Sequence, residues 1–481
     1  MEKMDLKDAE TPKYSNLKLD YFDLLDNAKE AKGHIRAFIG IKTWLYESEY
    51  NQINDGVKAH IKSLHAAIED LRKSISCGSF TNELSKLLDV WYSEGHSIKP
   101  NSSLPVLSKP PIPKIKDWEI NGLSTISLFS GAFGLDLGFM AAGFNINFAT
   151  DIDKSSLEVA ERNIPKTPFV LGDFSEISSD EVLRKAGLKK GEVDVLVGGP
   201  PCQPFSTAGK REGFNDPRSS PLKEFIRAIK DLKPRAFVME EVTGLLSSRL
   251  KHVPISERHN RSLKDEEEKG SAFAVVLDML KSTNYNFIVK TLDAADFGAP
   301  QSRKRVIIIG LRDKEPSHLL PEYSRKHPDL FSNYRPQITF WEATADLLGR
   351  EQSFVPVSDE TKQLMALVPP GGHWRHLPEN LIEGAMGGAY RSGGGKMGFF
   401  RRLSWDDVSP TVVTSPIQKG SLLYHPYENR AISVEEYGRI QGFPDDWSLP
   451  GSTSTKYKLI GNAVPVQLSY AIAKHIRKLL L

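Results

Sequence analysis

The sequence predicts an α/β fold built on a doubly wound, mostly parallel sheet, and three observations carry that prediction. Short apolar runs recur from about residue 120: STISLFS, INFATD, FVLGD, VDVLVGG, AFVMEEV, NFIVKTL and VIIIGL. Helix-like segments such as LDLGFMAAG, KSSLEVAERN and LKEFIRAIKDL separate several of them, an alternation that sets helices on both faces of a parallel sheet. Glycines and acids stand just after the runs, where open α/β sheets bind ligands, beyond the carboxyl ends of their strands.

The region before the sheet reads as helical. In VKAHIKSLHAAIEDLRKSI the residues Val57, Ile61, Leu64, Ile68, Leu71 and Ile75 recur at steps of three and four, which marks one apolar helix face. Thr81 suits the cap of a second helix with the stripe Leu84, Leu87, Leu88 and Trp91. A proline-rich stretch, IKPNSSLPVLSKPPIPKIKDW, follows as a linker. The expected division is therefore a helical extension with linker over 1–115 and an α/β domain over 116–315, completed by about 455–481. Between them, 316–454 holds an irregular, loop-rich second domain and the return to the core. It is rich in Gly, Pro, Arg and aromatics, as in VPPGGHWRHLPE and GGAYRSGGGKMGFFRRLSWDDVSPTVVTSP. The charged segment RLKHVPISERHNRSLKDEEEKG reads as an exposed insertion.

Bulk properties narrow the function classes. A net charge of +2 over 481 residues gives no global basic field, so any nucleic-acid face is local. Two cysteines, Cys77 and Cys202, exclude a disulfide framework and a cysteine-built zinc site, and fit a reducing cytoplasm. Neither a signal core nor an apolar stretch of membrane-spanning length is present, so no membrane partner is expected.

In SLFSGAFGLDLGF a strand meets a turn of small residues and then a helix; Gly131 and Gly134 let backbone approach a ligand. Asp151 ends the second strand, where a carboxylate accepts from ribose hydroxyls, and Asp173 follows the third, within reach of an adenine amine. Cys202 follows VDVLVGGPP. A lone cysteine is most often a small buried hydrophobe. Here Pro200, Pro201 and Pro204 stiffen the loop, while Gln203, Ser206, Lys210 and Arg211 make it polar and electropositive, a setting that favours the thiolate. A nucleophile needs an acid or base partner, and Glu240 ends the next strand. In QSRKR, Arg303 and Arg305 alternate onto one side and could grip an acceptor oxygen or phosphate.

These motifs, in this order, resemble the DNA cytosine-5 methyltransferases, especially those of bacterial type II restriction–modification systems, over about 120–481. The residues carrying the resemblance are FSGAFGLDLGF, the acid of ATDIDKS, GDF, GGPPCQPFSTAGKREGFNDPR, FVMEEV, QSRKR, ENRAISVEEYGRIQGFPDDW and the terminal IGNAVP. The resemblance implies an S-adenosylmethionine-dependent methyltransferase fold and a flipped cytosine attacked at C6 by Cys202. Glu240 would contact N3 and the exocyclic amine, and Arg305, supported by Arg303, would hold O2. The cofactor, S-adenosyl-L-methionine, would be bound by Phe129, Gly131, Gly134, Asp151, Ile152, Asp173, Phe174, Pro201 and Asn462. No metal is implied. Gln203, Ser206, Lys210 and Arg211 belong to a loop that would close over double-stranded DNA, with Arg211 as a phosphate contact.

The 316–430 stretch would be the target-recognition domain, with Arg391, Arg401 and Arg402 as DNA contacts. GGHWRHLP and RRLSWDDVSPTVVTSP resemble enzymes acting on short palindromes with a GGCC-like core, such as GGWCC. The implied setting is a cytoplasmic, nucleoid-associated monomer that protects host DNA from a cognate restriction endonuclease. Three positions depart from the family's pattern: Phe133 for a glycine, Glu241 for an asparagine, and Pro221 for a leucine. A phenylalanine at a positive φ is disfavoured, so the turn is expected to differ or the ring to stack on the cofactor. The alternatives are an RNA cytosine methyltransferase of the same superfamily and an inactive DNA-binding homologue. An adenine methyltransferase would need Asn/Asp-Pro-Pro-aromatic in place of Gly-Pro-Pro-Cys.

Overall fold

The computed structural model describes residues 122–201, 220–251, 253, 262–324, 334–347, 350–391, 398–414, 416, 420–426 and 428–481. The helical extension expected over 1–115 and the closing loop with Cys202, Gln203, Ser206, Lys210 and Arg211 lie outside these residues. The chain divides into two compact units, 1–109 with 344–351 and 110–343 with 352–481, and the described residues belong almost wholly to the second.

A seven-stranded sheet organises that unit, in the order β3-β2-β1-β4-β5-β7-β6. Its strands are β1 (Leu123–Leu128), β2 (Phe144–Asp151), β3 (Phe169–Leu171), β4 (Val195–Gly198), β5 (Ala236–Val242), β6 (Asn286–Asp293) and β7 (Lys304–Leu311). Each predicted apolar run is one of them. β1 to β5 pair in parallel, whereas β7 runs antiparallel between β5 and β6. That reversal matters for the site. It brings the start of β7 to the rim where the parallel strands end.

Helices α1 (Gly134–Ala141), α2 (Lys154–Asn163), α3 (Ser179–Ala186), α4 (Ser220–Leu232) and α5 (Ser271–Lys281) alternate with the strands. Local sequence sets their ends. Asp153 caps α2 by accepting from the Ser155 N–H, and Ser178 caps α3 by accepting from Glu181. Gly187 closes α3 at φ +68°, a conformation glycine adopts without strain. One face of the sheet buries Ile126, Phe148, Leu196, Phe225, Phe237, Val276 and Ile308 in a single apolar cluster.

Beyond β7 regular structure thins, as the composition predicts. The described residues hold only two-residue strand pairs, β8 (Tyr323–Ser324) with β9 (Arg335–Pro336) and β10 (Arg401–Arg402) with β11 (Leu423–Tyr424). Short helices α6 (Asp359–Ala366) and α7 (Glu379–Met386) lie between them. The chain rejoins the core at Ser409, which bridges Gln301. It then forms α8 (Val434–Gln441), α9 (Thr453–Asn462) and α10 (Val466–Leu480). α10 packs on α1 through Gly138, where any Cβ would collide with Ser469 and the Tyr470 backbone. Ser469 Oγ donates to the Leu135 carbonyl across the same contact.

Candidate active site

Side chains from four strand ends and the reversed β7 line one rim of the sheet. At the β1–β2 end of that rim, the Gly131 N–H donates to Asp151 Oδ2 at 2.8 Å and the Asp153 N–H to Oδ1 at 2.8 Å. These two bonds fix the carboxylate beside the turn after β1. Burial raises the Asp151 pKa, and the same backbone donors pull it back. Gly131 sits at φ +54° with open space where a Cβ would point, so backbone is presented bare to a ligand. Next to it Ile152 is 71% exposed, an apolar side chain in water at a strand end. Asp173 is exposed and caps a short turn by accepting from Ser175 at 2.9 Å. Phe129 meets Phe174 edge-on at 6.5 Å, and Arg227 lies over the Phe174 ring at 4.9 Å. Phe174 is buried, so its ring backs the site from within.

Packing from the core fixes two further residues of the turn after β1. A Cβ on Gly134 would stand 2.5 Å from the Val464 carbonyl oxygen and 2.8 Å from Ala463 Cβ. This glycine is required by the segment returning after Asn462, which ends α9 with its side chain exposed. Phe133 turns its ring into the core and does not offer it for stacking. It does adopt the left-handed conformation, at φ +68°, and its ring is fully buried. The ring packs on Phe169 at 6.1 Å and Trp447 at 6.3 Å, so core packing holds the strained turn.

The reacting side of the rim is built by the β5–β7 register. Glu240 faces Ile307 and Val242 faces Arg305, which makes Glu240 and Arg305 diagonal neighbours on one sheet face. Arg305 Nε stands 2.6 Å from Glu240 Oε1, with each side chain 13% exposed. Gly199, in the loop leading to Cys202, lies against this carboxylate: a Cβ there would meet Glu240 Oε2 at 2.9 Å. Pro200 is buried and Pro201 exposed, so the loop leaves the core at that point.

Arg303, two residues before Arg305 and close enough for their charges to interact, takes a different set of partners. It precedes β7, turns inward, and donates to the Val412 and Gly461 carbonyls at 2.8 Å each. Burial, and then the charge of Arg305, lower its pKa to about 9. Its guanidinium braces the returning chain. A partner in that role escaped the sequence reading. Gln301 is buried, donates to Gln441 Oε1 at 2.7 Å and accepts from the Val412 N–H at 2.9 Å. Gln441 donates onward to Ile460 and Ala463, so two amides stitch the rim to α8 and α9. QSRKR and RIQGFPDDW both contained the signal, a glutamine inside a quoted motif.

The arginines proposed for DNA fall into two classes. Arg401 is exposed, and so is Arg391, which pairs with Glu383 at 2.6 Å. Arg402 is buried, its guanidinium donating to the carbonyls of Met365, His425 and Pro426 and to Asn429 Oδ1. A fork so occupied cannot also read a base edge, which removes Arg402 from the DNA contacts. Glu241 is buried in β5 opposite Val306.

The sequence pattern of C-5 cytosine-specific DNA methylases matches residues 123–478. The chain belongs to that family. The type II methyltransferase M.Sau96I of Staphylococcus aureus is 35% identical over 368 residues, 76% of each chain. M.PspPI of Psychrobacter sp. (strain TA137) is 37% identical over 366 residues, 74% of this chain and 79% of that one. M.Eco47II of Escherichia coli is 35% identical over 369 residues, 75% and 80% of the two chains. A crystal structure of a protein encoded within an E. coli prophage shares the fold, with a TM-score of 0.50 at 21% identity, over 75% of this chain and 99% of that one.

The enzyme is a DNA (cytosine-5)-methyltransferase of the bacterial type II kind that takes its methyl group from S-adenosylmethionine. The cofactor rim fits that donor: bare backbone at Gly131, a fixed carboxylate at Asp151, an exposed apolar face at Ile152 and a second acid at Asp173. Among the described residues, no helix is long and apolar enough to cross a membrane.

Proposed function

We propose that the enzyme methylates one cytosine within a short, specific duplex sequence, through a covalent bond between Cys202 Sγ and C6 of a base rotated out of the helix. The observation supporting this most is the Glu240–Arg305 pair pressed against Gly199, three residues before Cys202. A carboxyl donor and a guanidinium fork side by side match the N3–amine edge and the O2 of a cytosine. Rotating the base out costs a few kcal/mol of unstacking. Cys202, as thiolate, adds to C6. Glu240 would pass a proton to N3 while Arg305 holds O2, so charge entering the ring is neutralised as it forms. C5 thereby becomes the nucleophile. Bound S-adenosylmethionine supplies the electrophilic methyl group. A base, with water the simplest choice, then removes the C5 proton, the C6–S bond breaks to return the thiolate, and N3 gives its proton back to Glu240.

Asp151 and Asp173 would hold the cofactor's ribose and adenine amine, with Ile152 against the adenine and Phe129, Gly131, Pro201 and Asn462 around it. Gln203, Ser206, Lys210 and Arg211 would close over the DNA. Residues 316–430 would read the sequence, a palindrome with a GGCC-like core. The enzyme would act as a cytoplasmic monomer that shields host DNA from a partner endonuclease. The test is methyl transfer to duplex DNA and to tRNA, followed by nucleoside mass spectrometry. 5-Methylcytosine in duplex DNA alone supports the reading; product confined to tRNA moves the chain to the RNA enzymes, and no product with DNA bound makes it an inactive homologue.

A further inference from the structure

Within 316–430, the turn from Gly371 to Leu377 carries polar groups that the reaction above does not use. Backbone holds it on one side. The Gly371 N–H donates to Leu403 at 3.0 Å, the Trp374 N–H to Phe399 at 3.1 Å, and the Arg402 N–H returns to Gly372 at 3.0 Å. Trp374 anchors it from below, buried and edge-on to Tyr390 at 6.4 Å. The turn is thus fixed along residues 399–403, while Arg375 and His376 stand exposed and His373 is half-buried.

Hydrogen bonds set which ring atoms face outward. The Arg375 N–H donates to His373 Nδ1 at 3.4 Å, so that ring keeps its proton on Nε2. His376 Nδ1 lies 3.2 Å from both the N–H and the carbonyl of His373, which leaves its Nε2 outward. The two rings stand at 85° with centroids 5.0 Å apart. The Arg375 guanidinium lies over the Trp374 ring at 5.2 Å, which limits its freedom before any partner arrives. Burial first, then the neighbouring His376, Arg375 and Arg401, hold His373 below its usual titration range, so at pH 7 it is a neutral donor.

A rigid, donor-rich, exposed turn suits a surface of acceptors. In duplex DNA that is a phosphate or the guanine O6/N7 edge of the major groove. A phosphate is held chiefly by charge and tolerates a mobile fork, whereas an arginine fork already held over Trp374 in one direction gains most from a base edge. Every cytosine in a duplex brings a guanine as its pair. We propose that the His373–His376 turn reads a guanine of the target duplex, with Arg375 and His376 as contacts and His373 positioning them. This rests on 316–430 being the recognition region.

The test uses the full chain and its Arg375→Ala, Arg375→Lys and His376→Ala variants on a duplex library with a randomised core, read by bisulfite sequencing. Melting temperature and S-adenosylhomocysteine binding are measured beside it; both are expected to stay at wild-type values in the exposed Arg375 variants, and His376→Ala, which also removes the Nδ1 contact to His373, is compared at equal folded fraction. The expected result is relaxation at a single guanine position, with the ratio of correct to incorrect methylation falling about ten- to a hundredfold. Loss by one common factor across all sequences, the mark of a phosphate contact, overturns the proposal, as does an unchanged preference. A wild-type chain that methylates no duplex overturns the recognition reading itself, and the proposal with it.

Discussion

At Phe133 the usual rank of two substitutions should reverse. The residue sits at φ +68° with its ring fully buried between Phe169 and Trp447. Phe133→Ala removes the ring, at a cost of about 3–5 kcal/mol. It keeps a Cβ at positive φ, so strain of roughly 1–2 kcal/mol persists. Phe133→Gly loses the same ring but releases the strain. In an ordinary helix interior glycine is about 1 kcal/mol worse than alanine. Here the glycine variant should be the more stable of the two by about 1 kcal/mol, and both should fall below wild type. Urea unfolding followed by circular dichroism resolves this as a difference in midpoint at a common slope. Calorimetry with S-adenosylhomocysteine should give near-native affinity for both variants, since the ring faces the core. The reasoning is refuted if the alanine variant is the more stable, or if both keep the native midpoint and lose the cofactor.

Glu240→Gln keeps the shape beside Arg305 but cannot supply a proton, so turnover should fall about 10²–10⁴-fold while cofactor binding holds, by single-turnover kinetics and calorimetry. Gly199→Ala places a Cβ 2.9 Å from Glu240 Oε2, and methylation should fall at least tenfold at an unchanged melting temperature, since the strain falls on the carboxylate. Burial pushes the Asp136 carboxyl in α1 up to about 7 from 3.8. The folded state therefore holds a proton that the unfolded chain releases near pH 4. Its stabilisation is complete below that pH and is lost as pH rises through 7, so the melting-temperature difference between wild type and Asp136→Asn should slope over that window and flatten above it. Arg402→Ala strips buried carbonyls of their donor and should cost roughly 2–4 kcal/mol by chemical denaturation, yet leave sequence preference unchanged in the folded fraction.

The sheet was legible because its strands are short apolar runs bounded by turns, a local pattern that burial on both faces imposes. The acids at the ends of β2 and β3, and Glu240 and Arg305 taken singly, could be picked out too, because strand ends are where such a sheet exposes chemistry; that Glu240 and Arg305 pair with each other could not. What local pattern could not carry was the other side of each contact. Gly134 and Gly138 read as turn and helix residues, and only the returning C-terminal segment explains why neither can bear a side chain. Arg303 and Arg305 look equivalent two residues apart, but β7 begins between them, so one braces Val412 and Gly461 while the other reaches Glu240. Arg401 and Arg402 divide the same way, one outward and one tied to carbonyls. Gln301 and Gln441 are 140 residues apart, and nothing in either segment announces the other.

The most direct test of the central claim is a covalent trap. Duplexes containing 5-fluorocytosine are incubated with the enzyme and S-adenosylmethionine, and the protein is weighed intact by mass spectrometry. Fluorine at C5 cannot leave as a proton does, so the account predicts an enzyme–DNA adduct on some duplexes only, mapped by peptide analysis to Cys202 and absent in Cys202→Ala. An adduct that survives Cys202→Ala, or none on any short palindrome while DNA still binds tightly, would contradict it.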